Sequence, residues 1–533
     1  MEQNILKFLI EKGFLLDKEM FNFLKELGNE EIAEEILNKI AVVSNKKIIT
    51  KNLINENLDK IKPFFLTLED EKKKLIEKFF VNISISVEVK KESSLKDEEN
   101  FDESNNSEIK NSNYKNSDIK IIYSPIIQFR KLEVKDFVRY FRTRYIFMKN
   151  LLQQRYELQN LTSIDKINRN NRNFSIIGIV NNKQITKNKN ILLEVEDLTG
   201  KTKLLVSHGN EELFKKAKEI LLDDIIGFKC SGSRDFLYVN DFFYPDCFLD
   251  KRKSSDEEVY AVFISDIHVG SKNFLEKNFE RFIDWISGKN GFEEYREIQK
   301  KIKYLFVVGD SIDGVGVYPG QEKFLDIKNI KDQYAKLAEY YKRIPPKINI
   351  IQCAGQHDGV RVAEPQPPIG KDFGEALYEV KNLFLVSNPS VIEIESKSGK
   401  DGIKVLMYHG ASMNSIINEA ESLRLTNAHR NPTKALKYLL VRRHLSPIHG
   451  QSVYIPSSGE DPMIIREIPD IVASGDLHRV DIDWYNNVLM IASSCWQSMT
   501  PFEEKVGNIP DPCKVPILNL KTFDIKILDF SDV

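Results

Sequence analysis

The chain has 533 residues, of which 77 are Lys or Arg and 79 Asp or Glu, for a formal net charge of -2. That length predicts two to four domains with large cores, and the charge balance excludes a globally basic nucleic-acid binder, so any DNA contact must come from local patches. Five scattered cysteines without CxxC spacing, Cys230, Cys247, Cys353, Cys495 and Cys513, exclude a disulfide framework and a thiolate zinc site.

The first residues, MEQNILKFLIEKGFLL, carry Glu2 and Glu11 and lack a small-residue cleavage site, which fits an amphipathic helix better than a signal peptide. Apolar residues at helical spacing continue through Ile5, Phe8 and Leu9, Phe21, Phe23 and Leu24, then Ile32, Ile36 and Ile40. They predict an N-terminal helical domain over 1–70. Residues 71–120 include KKESSLKDEENFDESNNSEIKNSNYKNSDIK, too polar to repay burial of its backbone, and read as a flexible linker.

A helical connector is expected over 121–172. Phe137, Phe141, Tyr145 and Met148 fall at i, i+4, i+8 and i+11, one face packing on a domain with arginines on the other. Stacking of its aromatics on bases is the alternative. Residues 173–250 then alternate as strands, with a helical ELFKKAKEILL before the last two, the order of an OB-fold barrel.

Residues 256–533 carry the chemistry. Apolar runs at Val259–Ile264, Tyr304–Val308, Ile348–Cys353, Lys404–Met407 and Ile471–Ala473 read as buried parallel strands. Each ends in a polar motif: Asp266-Ile-His268, Gly309-Asp310-Ser311-Ile312-Asp313, Gly355-Gln356-His357-Asp358, His409-Gly410 and Gly475-Asp476-Leu477-His478. Residues just past such ends meet in one crevice at the carboxyl edge of an open α/β sheet. Phosphodiester hydrolysis needs a strong nucleophile and neutralisation of charge on the phosphoryl oxygens, and two divalent ions roughly 3.5–4 Å apart supply both. A bridging carboxylate is then required, and Asp310 is the natural one. A lone Asp-x-His or Gly-Asp is more often a turn or cap, but the five blocks come in order and take four of the 8 histidines. His208, His429, His444 and His449 read as surface or packing residues.

The blocks resemble the calcineurin-like metallophosphoesterase superfamily, with its DxH, GDxxD, GNH(D/E), H and GHxH pattern. The resemblance implies that Asp266, His268, Asp310 and His478 hold one metal and that Asp310, Gln356, His409 and Asp476 hold the other, with His357 as the unbound acid/base. Gln356 replaces the usual Asn, and Asp476 replaces the usual His. Gln reaches one methylene further, and Asp adds negative charge while remaining a good ligand for hard ions such as Mn²⁺ or Mg²⁺.

A barrel ahead of such a domain resembles the B-subunits of replicative DNA polymerases. With its ligands retained, the chain resembles the small-subunit family of archaeal family D DNA polymerase. Gly316–Gln321, Arg442–Gly450, Trp496–Phe502 and Val515–Leu520 look like that family's segments. The resemblance implies a multidomain α/β plus β protein with 3′→5′ proofreading exonuclease activity on single-stranded or frayed 3′ ends, a large catalytic polymerase subunit as partner, and a cytoplasmic, nucleoid-associated location. Arg361, Arg424, Arg442 and Arg443 are candidate DNA contacts. A catalytically weakened scaffold subunit, or an esterase for small phosphate esters, are the alternatives. No apolar run approaches the ~20 residues that cross a bilayer.

Overall fold

The computed structural model describes residues 118–531 other than 126–130, 168–172, 234, 290–294, 397–399, 457–459 and 507, together with 15–16, 37 and 48–49. The chain forms two units, 1–110 and 111–533. In the first, β1 (Leu15–Leu16) pairs in parallel with β2 (Ile48–Ile49), a contact the helical expectation did not include. The rest of the expected helical domain, and the polar run as far as 117, lie outside the described residues.

In the second unit, β3 (Ile119–Tyr123) begins inside the stretch expected to be linker. Ile119 and Ile121 pack on an apolar core and the strand pairs with residues near 392, so the chain is committed to the C-terminal α/β region before it enters the connector. The helix α1 (Val134–Leu152) follows. Its buried face is Tyr140, Arg144, Tyr145, Met148 and Leu152, while Phe137 is exposed. The face is therefore rotated from the expected stripe, because Arg144 is drawn inward: its Nε donates to Asp461 at 2.7 Å and its Nη1 to the Pro447 carbonyl. A partner so distant in sequence is invisible to helical periodicity.

Five strands, β4 (Phe174–Ile185), β5 (Ile191–Glu196), β6 (Lys201–Val206), β7 (Ile225–Ser233) and β8 (Phe236–Phe243), close a barrel in the order β4-β5-β6-β8-β7. The helix α2 (Glu211–Ala217) sits between β6 and β7, capped where Asn210 Oδ1 accepts from the Leu213 amide. Period-two alternation sends Ile191, Leu193 and Val195 inward to Leu204, Phe228 and Phe242.

The region that carries the five motifs holds β9 (Tyr260–Ile264), β10 (Ile302–Val308), β11 (Asn349–Cys353), β12 (Leu383–Val386), β13 (Ser390–Ile394), β14 (Ile403–Met407), β15 (Ile471–Ser474), β16 (Asp481–Tyr485), β17 (Val488–Ala492), β18 (Lys514–Asn519) and β19 (Ile525–Asp529). They form two six-stranded sheets, β12-β11-β10-β9-β18-β19 and β16-β17-β15-β14-β13-β3. The expectation of a single open sheet is thus replaced by two. A strand covered on both faces reads as a continuous apolar run whether its cover is a helix or another sheet. In β10, Tyr304, Phe306 and Val308 point to the second sheet, and Leu305 and Val307 to the opposite core, which includes residues of α3 (Glu276–Ile286) and α4 (Ile330–Arg343). Phe263 and Phe306 stack at 5.1 Å between the sheets, each such buried ring contributing roughly 1.5–3 kcal/mol.

The barrel is tied to this region by α5 (Thr433–Arg442), whose Arg442 forms a two-pronged buried bond with Asp224 at 2.7 and 3.0 Å, immediately before β7. Among the described residues no helix is long and apolar enough to cross a membrane.

Candidate metal centre

The motifs follow β9, β10, β11, β14 and β15, so ligands from both sheets meet at their carboxyl ends. The backbone there is bent into the left-handed region at Asp266 (φ 49°), His268 (54°), Asp310 (47°), Asp476 (68°) and His478 (54°). Each such residue costs on the order of 1–3 kcal/mol and persists only where its surroundings over-determine it. Here the loops hold one another: the Asp266 amide donates to the Gly309 carbonyl at 3.1 Å, that of His268 to Asp310 at 3.1 Å, and that of Gly475 to His409 at 2.8 Å. The glycines are required by what fills the space. A Cβ on Gly355 would lie 2.2 Å from Asp310 Oδ1, and one on Gly309, itself at φ +80°, would lie 2.3 Å from His409 Nδ1.

All four motif histidines have Nδ1 beside a fixed acceptor. His478 Nδ1 lies 2.8 Å from Glu503 Oε1, His357 Nδ1 2.8 Å from the Asp313 carbonyl, and His409 Nδ1 2.8 Å from the Val308 carbonyl. His268 Nδ1 lies 3.2 Å from Asp313 Oδ1, an ion-pair distance without hydrogen-bond alignment. Carriage of the proton at Nδ1 would leave Nε2 of the three ligand histidines, His268, His409 and His478, as a lone pair for a metal. Those of His268 and His478 face each other at 3.2 Å, with Asp266 Oδ1 3.4 Å from the latter. At that distance the two rings share either a proton or a cation, and Asp266, His268 and His478 are together within ligand range.

The second group is Asp266, Asp310 and His409. His409 Nε2 lies 3.3 Å from Asp310 Oδ2 and 3.9 Å from Asp476 Oδ1, buried and, among the described residues, with no hydrogen-bond partner. Gln356 Oε1 is buried and equally unpartnered. A buried polar atom left so costs about 1–3 kcal/mol, which coordination would relieve, so the residues present fit a divalent ion here too. Asp476 presents Oδ1 because Asn414 Nδ2 donates to its Oδ2 at 3.0 Å. His357 stands over His268, ring centroids 4.8 Å apart, and its amide donates to Asp310 Oδ1 at 2.8 Å.

Burial alone would raise the Asp310 carboxyl, but His409 and His357 outweigh it and hold it well below the usual carboxylate range. Burial would lower His409, and Asp310 reverses that, raising it well above an ordinary histidine. Protons therefore neutralise this site when ions do not, and metal binding must release them.

The candidate DNA contacts divide. Arg442 and Arg443 are buried, the first on Asp224 and the second donating to the carbonyls of Ile465 and Arg466, so neither guanidinium is open to a strand. Arg361 donates to the carbonyls of Ala363 and Pro365, and Arg424, exposed, to that of Asn418. Glu503, Asn414 and Tyr334 were not foreseen. Glu503 sits in a charged PFEEKV helix that nothing in its own sequence separates from a solvated surface turn. Asp358, from the GQHD motif, instead accepts from the Ser311 hydroxyl at 2.6 Å, the Gly355 amide at 2.9 Å and the Tyr334 hydroxyl at 3.3 Å, clamping two ligand loops together.

Residues 261–481 match the family model that describes the B subunit of DNA polymerases alpha and epsilon. The DNA polymerase II small subunit of Pyrococcus furiosus is 37% identical over 404 residues, 75% of this chain and 64% of that protein. That of Methanothermobacter thermautotrophicus is 36% identical over 399 residues, 75% and 80% of the two chains. That of Archaeoglobus fulgidus is 32% identical over 517 residues, 96% and 94%. The chain thus spans just under two thirds of the length of the Pyrococcus relative and nearly all of the Archaeoglobus one.

Proposed function

This chain belongs to the archaeal DNA polymerase II small subunits, and on that premise we propose that it is a two-metal 3′→5′ exonuclease that proofreads for a separate, larger polymerase subunit. The observation that carries the nuclease reading is the opposed Nε2 pair of His268 and His478, each ring braced by a carboxylate. A scaffold that had shed its chemistry would have no reason to keep two imidazole nitrogens facing in a strained backbone. The partner follows from the relatives' designation as small subunits, and the polarity from the family resemblance. The five-stranded barrel, read as an OB-fold, is the companion module expected of that family.

When bound, two divalent ions, Mn²⁺ or Mg²⁺ for so oxygen-rich a donor set, neutralise phosphoryl charge and activate the attacking water. Asp310, within ligand range of Asp266 and His409 on one side and of His268 on the other, would space them. His357, held through Nδ1 by the Asp313 carbonyl, would enter as the imidazolium, present its Nε2–H to the departing sugar oxygen and give up that proton. Asp313 fixes His268 and His357 at once, so the acid/base group and the first metal site share one support.

Purified protein with Mn²⁺ tested on labelled single-stranded DNA and on p-nitrophenyl phosphate examines this reading. Stepwise shortening from the 3′ end is expected. Hydrolysis of the small ester alone would favour a general esterase, and hydrolysis of neither, a scaffold.

A further inference from the structure

We infer that Tyr318 is a substrate-positioning residue, a stacking platform for the base of the penultimate nucleotide, whose 3′ oxygen is released; this rests on the nuclease reading above. Tyr318 lies on the loop that follows the Asp313 motif, and its ring centroid is 6.5 Å from that of His357, at an interplanar angle of 64°. The ring is 42% exposed, and among the described residues its hydroxyl makes no hydrogen bond. A large aromatic side chain left half in solvent beside a catalytic imidazole gains little from its own fold.

The loop beneath it is built. Gln321, fully buried, donates through Nε2 to the Asp313 carbonyl at 2.8 Å and to Asp313 Oδ2 at 3.1 Å, and accepts from the Val317 amide at 2.8 Å. The Asp313 carbonyl is the same atom that orients His357. One residue therefore sets both the imidazole and the loop that carries the tyrosine, so the ring is registered to the reacting centre. Gly314 (φ 73°), Gly316 (77°) and Gly320 (82°) supply the turns.

Phe324 is also partly exposed, and Lys272 reaches across to the Lys323 carbonyl at 2.9 Å. Aromatic faces interleaved with ammonium groups are how single strands are held without sequence preference: bases stack, and phosphates track the charge. In 3′→5′ removal the oxygen that leaves is the 3′ oxygen of the penultimate nucleotide, so with His357 serving it the base beside Tyr318 is the penultimate one. A paired base inside a duplex could not reach the ring, which gives the site its preference for frayed ends.

The probe is a single-stranded oligonucleotide in two forms, natural and with an abasic penultimate nucleotide, so that the scissile phosphodiester is the same. Wild type, Tyr318→Ala, Tyr318→Phe and Tyr318→Trp are compared in the full chain with Mn²⁺. Wild type should favour the natural strand, and Tyr318→Ala should raise its KM roughly tenfold to a hundredfold, with kcat little changed and no effect on the abasic strand. Tyr318→Phe and Tyr318→Trp should restore the discrimination. Equal losses of Tyr318→Ala on both strands would mean that the ring acts only by packing on His357, and unchanged KM would mean that it does not touch the base; either overturns the inference alone. Wild type cleaving neither strand would overturn the nuclease reading and the inference with it.

Discussion

The Nε2 atoms of His268 and His478 stand 3.2 Å apart, although one residue follows β9 in the first sheet and the other follows β15 in the second. Asp313 and Glu503 hold the opposite nitrogens of the two rings. The two sheets are thereby joined at a point that holds a proton or a metal ion between two imidazoles.

Glu503 is consequently part of the metal site without touching it. Glu503→Gln should weaken metal binding about 10–100-fold, the usual effect of removing such a carboxylate brace, with the fold intact. Titration of Mn²⁺ by calorimetry reads this directly. Unchanged affinity would show that His478 is oriented by its backbone alone.

The Arg442–Asp224 pair makes a prediction about stability. Both groups are buried, so Asp224→Ala leaves an unpaired guanidinium and should cost about 3–5 kcal/mol, while Asp224→Leu combined with Arg442→Met should recover most of that. Thermal unfolding of the three proteins decides it. A single variant as mild as the double one would mean that water already reaches the pair.

Glu364 predicts a pH dependence. It is buried, its Oε1 has no partner and its Oε2 lies 3.3 Å from the Tyr408 hydroxyl. Burial pushes its carboxyl up to about 8, against the bond from Tyr408 and the charge of His409. The folded protein therefore keeps a proton that the unfolded chain gives up above the ordinary glutamate value of about 4.3. This group's contribution to stability is full below that value and is lost as pH rises to about 8. Glu364→Gln cannot ionise, so its melting temperature relative to wild type, measured in EDTA, should climb from pH 5 to pH 8 and then level off. A difference independent of pH would place Glu364 in contact with solvent.

Much of this site is written in the sequence because its residues are local: Asp266 and His268, or Gln356 and His357, are neighbours past an apolar run, and strand ends of buried sheets converge. What binds those motifs together is not local. Glu503 meets His478, Asp461 meets Arg144, and Asp224 meets Arg442 across long separations, and each looks like an ordinary surface charge in its own segment. Arg442 shows the consequence, since a basic residue near a phosphate site reads as a strand contact until its buried partner is seen. The second sheet was hidden for a related reason, as helix cover and sheet cover leave the same apolar signature in a strand.

The central claim is hydrolysis by two ions that share Asp310, whose carboxylate lies in ligand groups with His268 and His357 and with Asp266 and His409. The most direct test is Asp310→Ala, assayed with Mn²⁺ on 3′-labelled single-stranded DNA with bound metal counted by elemental analysis on the same sample. The account predicts loss of nearly all hydrolysis together with loss of bound metal, in a protein that melts as a folded chain. Hydrolysis within a few-fold of wild type, or two ions still bound, would contradict it.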